Sequence, residues 1–137
     1  MPSSVPPTQH FPGAQQKYDI PLIAGDNVFL GDVIGRYLSA IHAANRSLMY
    51  PSTDSNDPAP ISGGLFRMKK GQPFTATYRY HETLIVLEGS FIVSDDSGNQ
   101  STAAAGDIYW IPKGATVTIG TDDYGLAFYT AQRMKRT

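Results

Sequence analysis

The sequence predicts an all-β protein: one sandwich or barrel domain behind an N-terminal arm. Three observations carry this. The chain has 137 residues, the size of a single domain, and a domain near 150 residues buries about 68–70% of the surface its unfolded chain exposes. From Ile61 onward, short β-branched and aromatic runs follow one another, each closed by Gly, Asp, Asn or Pro. Strands of that length at that spacing pack as a sandwich or a barrel. Residues 1–16 are rich in Pro, Ser and Gln and read as a flexible arm, or as a segment that wraps a partner subunit. The arm is assigned to residues 1–24 and the barrel to residues 25–137.

Taken in order, "NVFLGDVIG" suits a strand. The run 36–50 is ambiguous between a helix striped by Tyr37, Ile41 and Leu48 and a pair of strands. Residues 51–60, PSTDSNDPAP, form a loop. Then come GGLFRMKKG, PFTATYRYHETLIVLEG, SFIVSDDSGN, STAAAGDIYWIPKG, ATVTIGTDDYG and LAFYTAQR as strands and their closing turns. DDSGN is a hairpin turn, since Gly98 and Asn99 tolerate positive φ.

Composition narrows the function. Eleven Lys plus Arg oppose twelve Asp plus Glu, a net charge of −1, with no basic stripe for nucleic acid and no basic amphipathic stretch for a membrane surface. The chain has no Cys, which removes disulfides, thiolate metal sites and thiol nucleophiles. The first residues have neither a positive start nor an apolar core, so they do not read as a signal peptide. No apolar run approaches the ~20 residues of a membrane span. The expected setting is the cytoplasm.

Two stretches carry the specific signal, YRYHETLIVLEGSFIV and AGDIYWIPKGATVTI. Together they resemble the two halves of the cupin signature, His-x-His-x3–4-Glu-x6-Gly and Gly-x5-Pro-x-Gly-x2-His. Glu82 and Gly89 match the end of the first half. Gly106, Pro112 and Gly114 match the frame of the second. Tyr-x-Glu ahead of VLEG, followed by IPKG, is similar to the ethanolamine-utilisation (EutQ-like) cupins and their small stand-alone fungal relatives, over roughly residues 25–133. The resemblance implies a cupin-type (RmlC-like) β-jelly-roll, usually a homodimer. Those relatives carry Asp between the Tyr and the Glu, where this chain has His81.

Cupin metals are held by three His and one Glu. Counting back from Glu82 places Tyr78 and Ala76, or Thr77 and Thr75, at the first two imidazole positions, and Val117 at the third. Only the carboxylate remains. His81 alternates outward from Glu82 in a regular strand, and even a bulge that turned it inward would leave one His and one Glu, short of three protein ligands. No metal and no other cofactor is expected.

What remains is a different site. Tyr78, Tyr80 and Glu82 share the inward face, with Leu84 and Val86 below them. Desolvation should raise the pKa of Glu82, because no Arg or Lys lies on the inward face of this strand. A carboxyl so placed can shuttle a proton, and the phenols can donate to a substrate oxygen. Glu82, Tyr78 and Tyr80 are therefore the candidate catalytic residues. His81, Met68, Trp110, Val117 and Phe128 are candidates to contact the substrate. The plainer readings stay open. The two Tyr fit core packing, Glu82 fits a structural ion pair with Arg67 or Lys113, His81 fits the surface, Trp110 and Phe128 fit core or pocket wall, and QRMKRT fits a solvated basic end.

Three functions are compatible with this pattern. The favoured one is a metal-independent cupin that binds a small oxygenated molecule and does acid–base chemistry of isomerase or lyase type. The others are a non-catalytic binding module or dimeric accessory protein, and a metal-dependent cupin with unusual ligands. The apolar residues on both faces of the strand near Leu84–Leu87 need cover on each side, from a second sheet, the N-terminal segment or a partner copy.

Overall fold

In the computed structural model, which describes residues 7–34 and 60–133, one long strand belongs to both walls of a nearly closed barrel. The elements are α1 (Ala14–Lys17), β1 (Leu22–Ala24), β2 (Val28–Ile34), β3 (Ser62–Lys69), β4 (Phe74–Thr77), β5 (Glu82–Asp95), β6 (Gln100–Ala104), β7 (Ile108–Ile111), β8 (Thr116–Gly120) and β9 (Tyr124–Ala131). Every strand pairing is antiparallel. The first half of β5 lies between β9 and β7, in a wall that continues through β3 and β2 to β1. Its second half lies between β6 and β8, and β4 closes that wall. The architecture is the all-β jelly-roll expected from the sequence. The ambiguous run 36–50, with His42, lies outside the described residues, as does the loop at 51–59.

The change of wall is written into β5. Side chains alternate along a strand, and Val86 and Phe91 both enter the core although an odd number of steps separates them. A register shift between Val86 and Glu88 and a positive φ of 67° at Gly89 absorb the extra step. A side chain at Gly89 would also collide with the Tyr124 carbonyl oxygen. The other turn glycines behave as expected: Gly98, Gly106 and Gly114 all have positive φ. Asn99 does not, for no non-glycine residue does among those described.

The interior is filled by Val28, Phe66, Met68, Val86, Phe91, Ile119, Ala127 and Tyr129 and their neighbours. Met68 and Leu126 are fully buried, and burying a side chain of that size contributes about 1.5–3 kcal/mol. Leu126 belongs to a second cluster outside the barrel, with Ile20, Val33 and Leu65. Residues within the span read as an arm provide its cover. Ile20 is buried there, Ala14 and Tyr18 pack against it, and Gln15 Nε2 donates to Glu88 Oε2 at 2.8 Å. Part of the outer face of β5 is thus covered from within the chain. The outer face of the neighbouring β7 is exposed: Ile108 and Trp110 are 74% and 66% exposed. Among the described residues, no helix is long and apolar enough to cross a membrane.

Candidate functional site

Three of the buried polar residues, Asp32, Ser62 and Glu82, gather at one end of the barrel. There β2 and β9 finish and β3 and β5 begin, as the pairings Ile34 with Gly63, Ser62 with Ala131, and Glu82 with both Ala131 and Ile111 show. Glu82 is buried on the inner face at this end. Tyr78 and Tyr80 follow the end of β4 and pack inward against the core, their rings edge-to-face at 6.0 Å. The strand expected through this trio is interrupted, since 78–81 form a bend between β4 and β5. Backbone bonds hold that bend to the Pro112–Gly114 turn: Tyr78 N donates to Ala115 O at 2.8 Å, and Gly114 N donates to Tyr78 O at 2.7 Å.

Three residues the sequence reading did not select complete the group. Tyr129 Oη donates to Asp32 Oδ1 at 2.5 Å. Arg133 closes on the same carboxylate with both terminal nitrogens, at 2.9 Å each. The guanidinium carbon also lies 5.3 Å from the centre of the Tyr80 ring. Asp32 and Tyr129 belong to β2 and β9, which β3 separates, so two strand spacings of about 4.8 Å lie between their backbones. They meet over Gly64, the β3 residue paired with both. A side chain at Gly64 would run into the Gly31 carbonyl oxygen and come within 2.7 Å of the Tyr129 hydroxyl.

Burial pushes the Tyr129 hydroxyl well above the usual phenol range, and the Asp32 charge and hydrogen bond push the same way, with a smaller contribution from Glu82. Burial alone would lower the pKa of Arg133. The Asp32 hydrogen bond and charge outweigh it and hold the guanidinium firmly cationic. Glu82 therefore does not sit in an uncharged niche. The expectation that no cation shares its face considered β5 alone, whereas Arg133 arrives from beyond the end of β9. Nor is Arg133 a solvated basic end, since its side chain is 10% exposed. Arg67 lies on the outer parity of β3 with Leu65, and Lys113 is exposed, so neither is placed to pair with Glu82.

The remaining candidates scatter. Val117 is buried and faces inward. Met68 is buried in the core at the other end of β3. Phe128 alternates to the outer face and packs on the Leu126 cluster. His81 is exposed, and its ring lies 6.0 Å from that of Trp110, outside the barrel. The His81 Nδ1 accepts from Lys113 N at 3.2 Å, which ties the bend to the turn. Trp110 is not core, being 66% exposed, but it is one of the residues that line the cavity described next. Strand parity explains its exposure, because Ile111 and Tyr109 take the inward places on β7.

A cavity of about 420 Å³ adjoins this group. Val93, Ile111, Ala115 and Val117 form its apolar part, and Asp95, Asn99, Gln100, Ser101 and Tyr109 its polar part. Ile111 is the strand neighbour of Glu82, and Ala115 is the backbone partner of Tyr78. The volume falls within the range of small-molecule sites, about 300–1,000 Å³.

The fold family holds metals with imidazoles, and the residues here do not fit one. Ala76 and Val117 face each other across β4 and β8 and offer no donor atom. Tyr78 and Glu82 supply a phenol and one carboxylate, short of the three ligands of a catalytic centre. Among the described residues, no group of three His, Asp or Glu side chains is placed to hold an ion.

A jelly-roll with an acid–phenol group on its inner wall and a cavity beside it defines the class, a small all-β barrel with an open chamber. The chain belongs to the cupin superfamily, in its EutQ-like branch: the EutQ-like cupin domain matches residues 59–124. Among solved structures it is similar to a putative ethanolamine utilization protein Q from Salmonella typhimurium, at 25% identity and a TM-score of 0.56, covering 79% of this chain and 71% of that one. A Rhizobium leguminosarum protein of unknown function is 30% identical, with a TM-score of 0.50 and coverage of 70% and 94%. The DMSP lyase DddQ from Ruegeria pomeroyi shares the fold at 18% identity and a TM-score of 0.50, over 56% of this chain and 40% of that one. No curated protein matches the chain.

Proposed function

We propose that this cupin binds a small oxygenated molecule in the 420 Å³ cavity and moves a proton on it through Glu82, without a protein-held metal. The observation that carries the reading is a carboxyl only 7% exposed, on the inner wall, next in register to a residue that lines the cavity. Tyr78 is the nearest phenol donor for a substrate oxygen and Tyr80 an orienting one. Asp32 and Arg133 fix Tyr129 behind them and supply a permanent charge pattern to the same wall. Groups fixed before substrate arrives stabilise developing charge without reorganising. Such equipment suits proton abstraction beside a carbonyl, the first step of many isomerases and lyases. The DMSP lyase with the same fold supports the idea that this frame can carry lyase chemistry, though fold alone assigns none.

Deuterium uptake tests it. Wild type and Glu82→Gln are incubated in D2O with a panel of small hydroxy and keto compounds, neutral ones and amino ketones, and exchange at carbon is followed by proton NMR. Wild type should exchange at least one compound faster than buffer, and Glu82→Gln should not. Equal exchange in both proteins, or none in either, removes the catalytic reading.

A second reading, a binding module without turnover, is favoured by one observation. Glu82, Tyr78 and Tyr80 border the cavity through their neighbours and are not themselves among its lining residues. Binding of a panel compound with no exchange at any carbon is its signature.

A further inference from the structure

We propose that the cavity selects small organic cations: ammonium compounds whose carbon body lies on Val93, Ile111 and Val117 and whose charged head meets Asp95. This rests on the cavity being the ligand chamber of the reading above, but not on Glu82 being catalytic.

The site arises from strand pairing. Consecutive strands β6 and β7 bond opposite halves of β5, β6 with Ser90–Ser94 and β7 with Glu82–Ile85. They therefore part between the two walls. Beyond the Ala104–Asp107 turn bonds, a side-chain bridge, Ser101 Oγ to Tyr109 Oη at 2.6 Å, ties them. The gap beside that bridge is the cavity.

Its charge is one-sided. Among the described lining residues Asp95 is the only one charged at neutral pH, and none is Lys or Arg. The hairpin turn fixes the Asp95 carboxylate, since Ser97 N and Ser97 Oγ both donate to Oδ1, at 2.9 and 2.5 Å. Those two bonds engage Oδ1 and leave Oδ2 to meet a donor at the cavity rim. The same bonds hold its pKa below the usual carboxylate range, which keeps it anionic. Asn99, Gln100 and Ser101 add neutral groups that can bond to a second polar atom of the ligand. An anionic head would meet a fixed negative charge here, with no Lys or Arg among the described lining residues to offset it.

The test uses the full chain and two isosteric probes, phenethylammonium and uncharged 2-phenylethanol, titrated by two-dimensional NMR at low ionic strength. The ammonium should bind about three to ten times more tightly, as expected for one charge pair at a wet rim. Shifts should centre on Asp95, Asn99–Ser101 and Tyr109, and 0.5 M salt should shrink the preference. Asp95→Asn, which keeps an acceptor in the turn, should abolish the preference and leave 2-phenylethanol binding unchanged. Asp122→Asn, which removes an exposed acid outside the cavity lining, should leave both affinities unchanged. The preference is read by binding and the catalytic reading by deuterium exchange, so the two fail separately. Should Asp95→Asn not fold, the salt dependence and shift map of the wild type decide. Equal binding of the probes, no binding of either, a preference that survives in Asp95→Asn, or shifts confined elsewhere overturns the proposal.

Discussion

Replacing Arg133 with Met strips the charge from the Asp32 pair while keeping much of the apolar bulk. The structure sets the scale of the loss. The pair is joined at 2.9 Å, with side chains 10% and 4% exposed, so solvent cannot take over the role of the guanidinium. Removing one partner of a buried pair costs about 3–5 kcal/mol, because the other charge is left stranded. Unfolding entropy of about 2.1 cal/mol/K per residue gives roughly 0.29 kcal/mol/K for a chain of 137 residues. The loss should thus lower the melting temperature by about 10–17 °C. Urea denaturation at pH 7 supplies the free energy and calorimetry the midpoint. The double variant Asp32→Asn/Arg133→Met leaves no stranded charge and should regain more than half of the loss. A cost below about 1 kcal/mol in the single variant would show that the pair is screened like a surface one. A double variant no better than the single would show that charge burial is not the source of the loss.

Gly64→Ala should destabilise by at least about 1–3 kcal/mol through overpacking between Asp32 and Tyr129. Gly120→Ala is the control: its new Cβ would lie no closer than 3.8 Å to any neighbour, and urea midpoints compare the two. Because the hydroxyl of Tyr129 titrates above its ordinary value of 10.0 when folded, its contribution to stability is complete below that pH and lost above it. Wild type should lose up to about 1.4 kcal/mol per pH unit from this group above pH 10. Tyr129→Phe lacks that loss, so its urea midpoints should converge with those of wild type between pH 9 and 11; parallel curves contradict the assignment. The bare outer face of β7 should pair two copies of the chain, giving a mass by light scattering of twice 14.9 kDa. Serine at both Ile108 and Trp110 should return it to a monomer, and a wild type that is already monomeric at micromolar concentration rules this out.

The barrel was legible in the sequence because its signals are local. Turn glycines, alternating apolar residues and the Pro112–Gly114 corner each act within a few residues, and each appears where it was expected. Glu82 was legible for the same reason, since strand parity alone turns it inward. The partners around it were not. Asp32 and Arg133 stand 101 positions apart in the chain and meet only because β2, β3 and β9 are neighbours in space. One signal was present: Asp32 is a lone charge inside the apolar run VFLGDVI, and a charge in a buried strand needs a partner. Trp110 was read as core or pocket wall; parity with Ile111 keeps it out of the core, and it lines the cavity from an exposed position. His81 was read both as a surface residue and as a substrate contact; it is exposed, in the bend before β5 and not on a regular strand.

Because β5 is shared, the two walls cannot come apart as separate units. Disordering its first half would strip β7 and β9 of their partner, and disordering its second half would do the same to β6 and β8. Neither half leaves behind a sheet with a face it can bury alone. The molecule thus has no natural place to be cut into autonomous fragments, and its melting should be all-or-none. Tolerance to inserted sequence belongs at the exposed 96–99 turn, which interrupts no strand pairing. An insertion near Gly89 would detach the two walls at once.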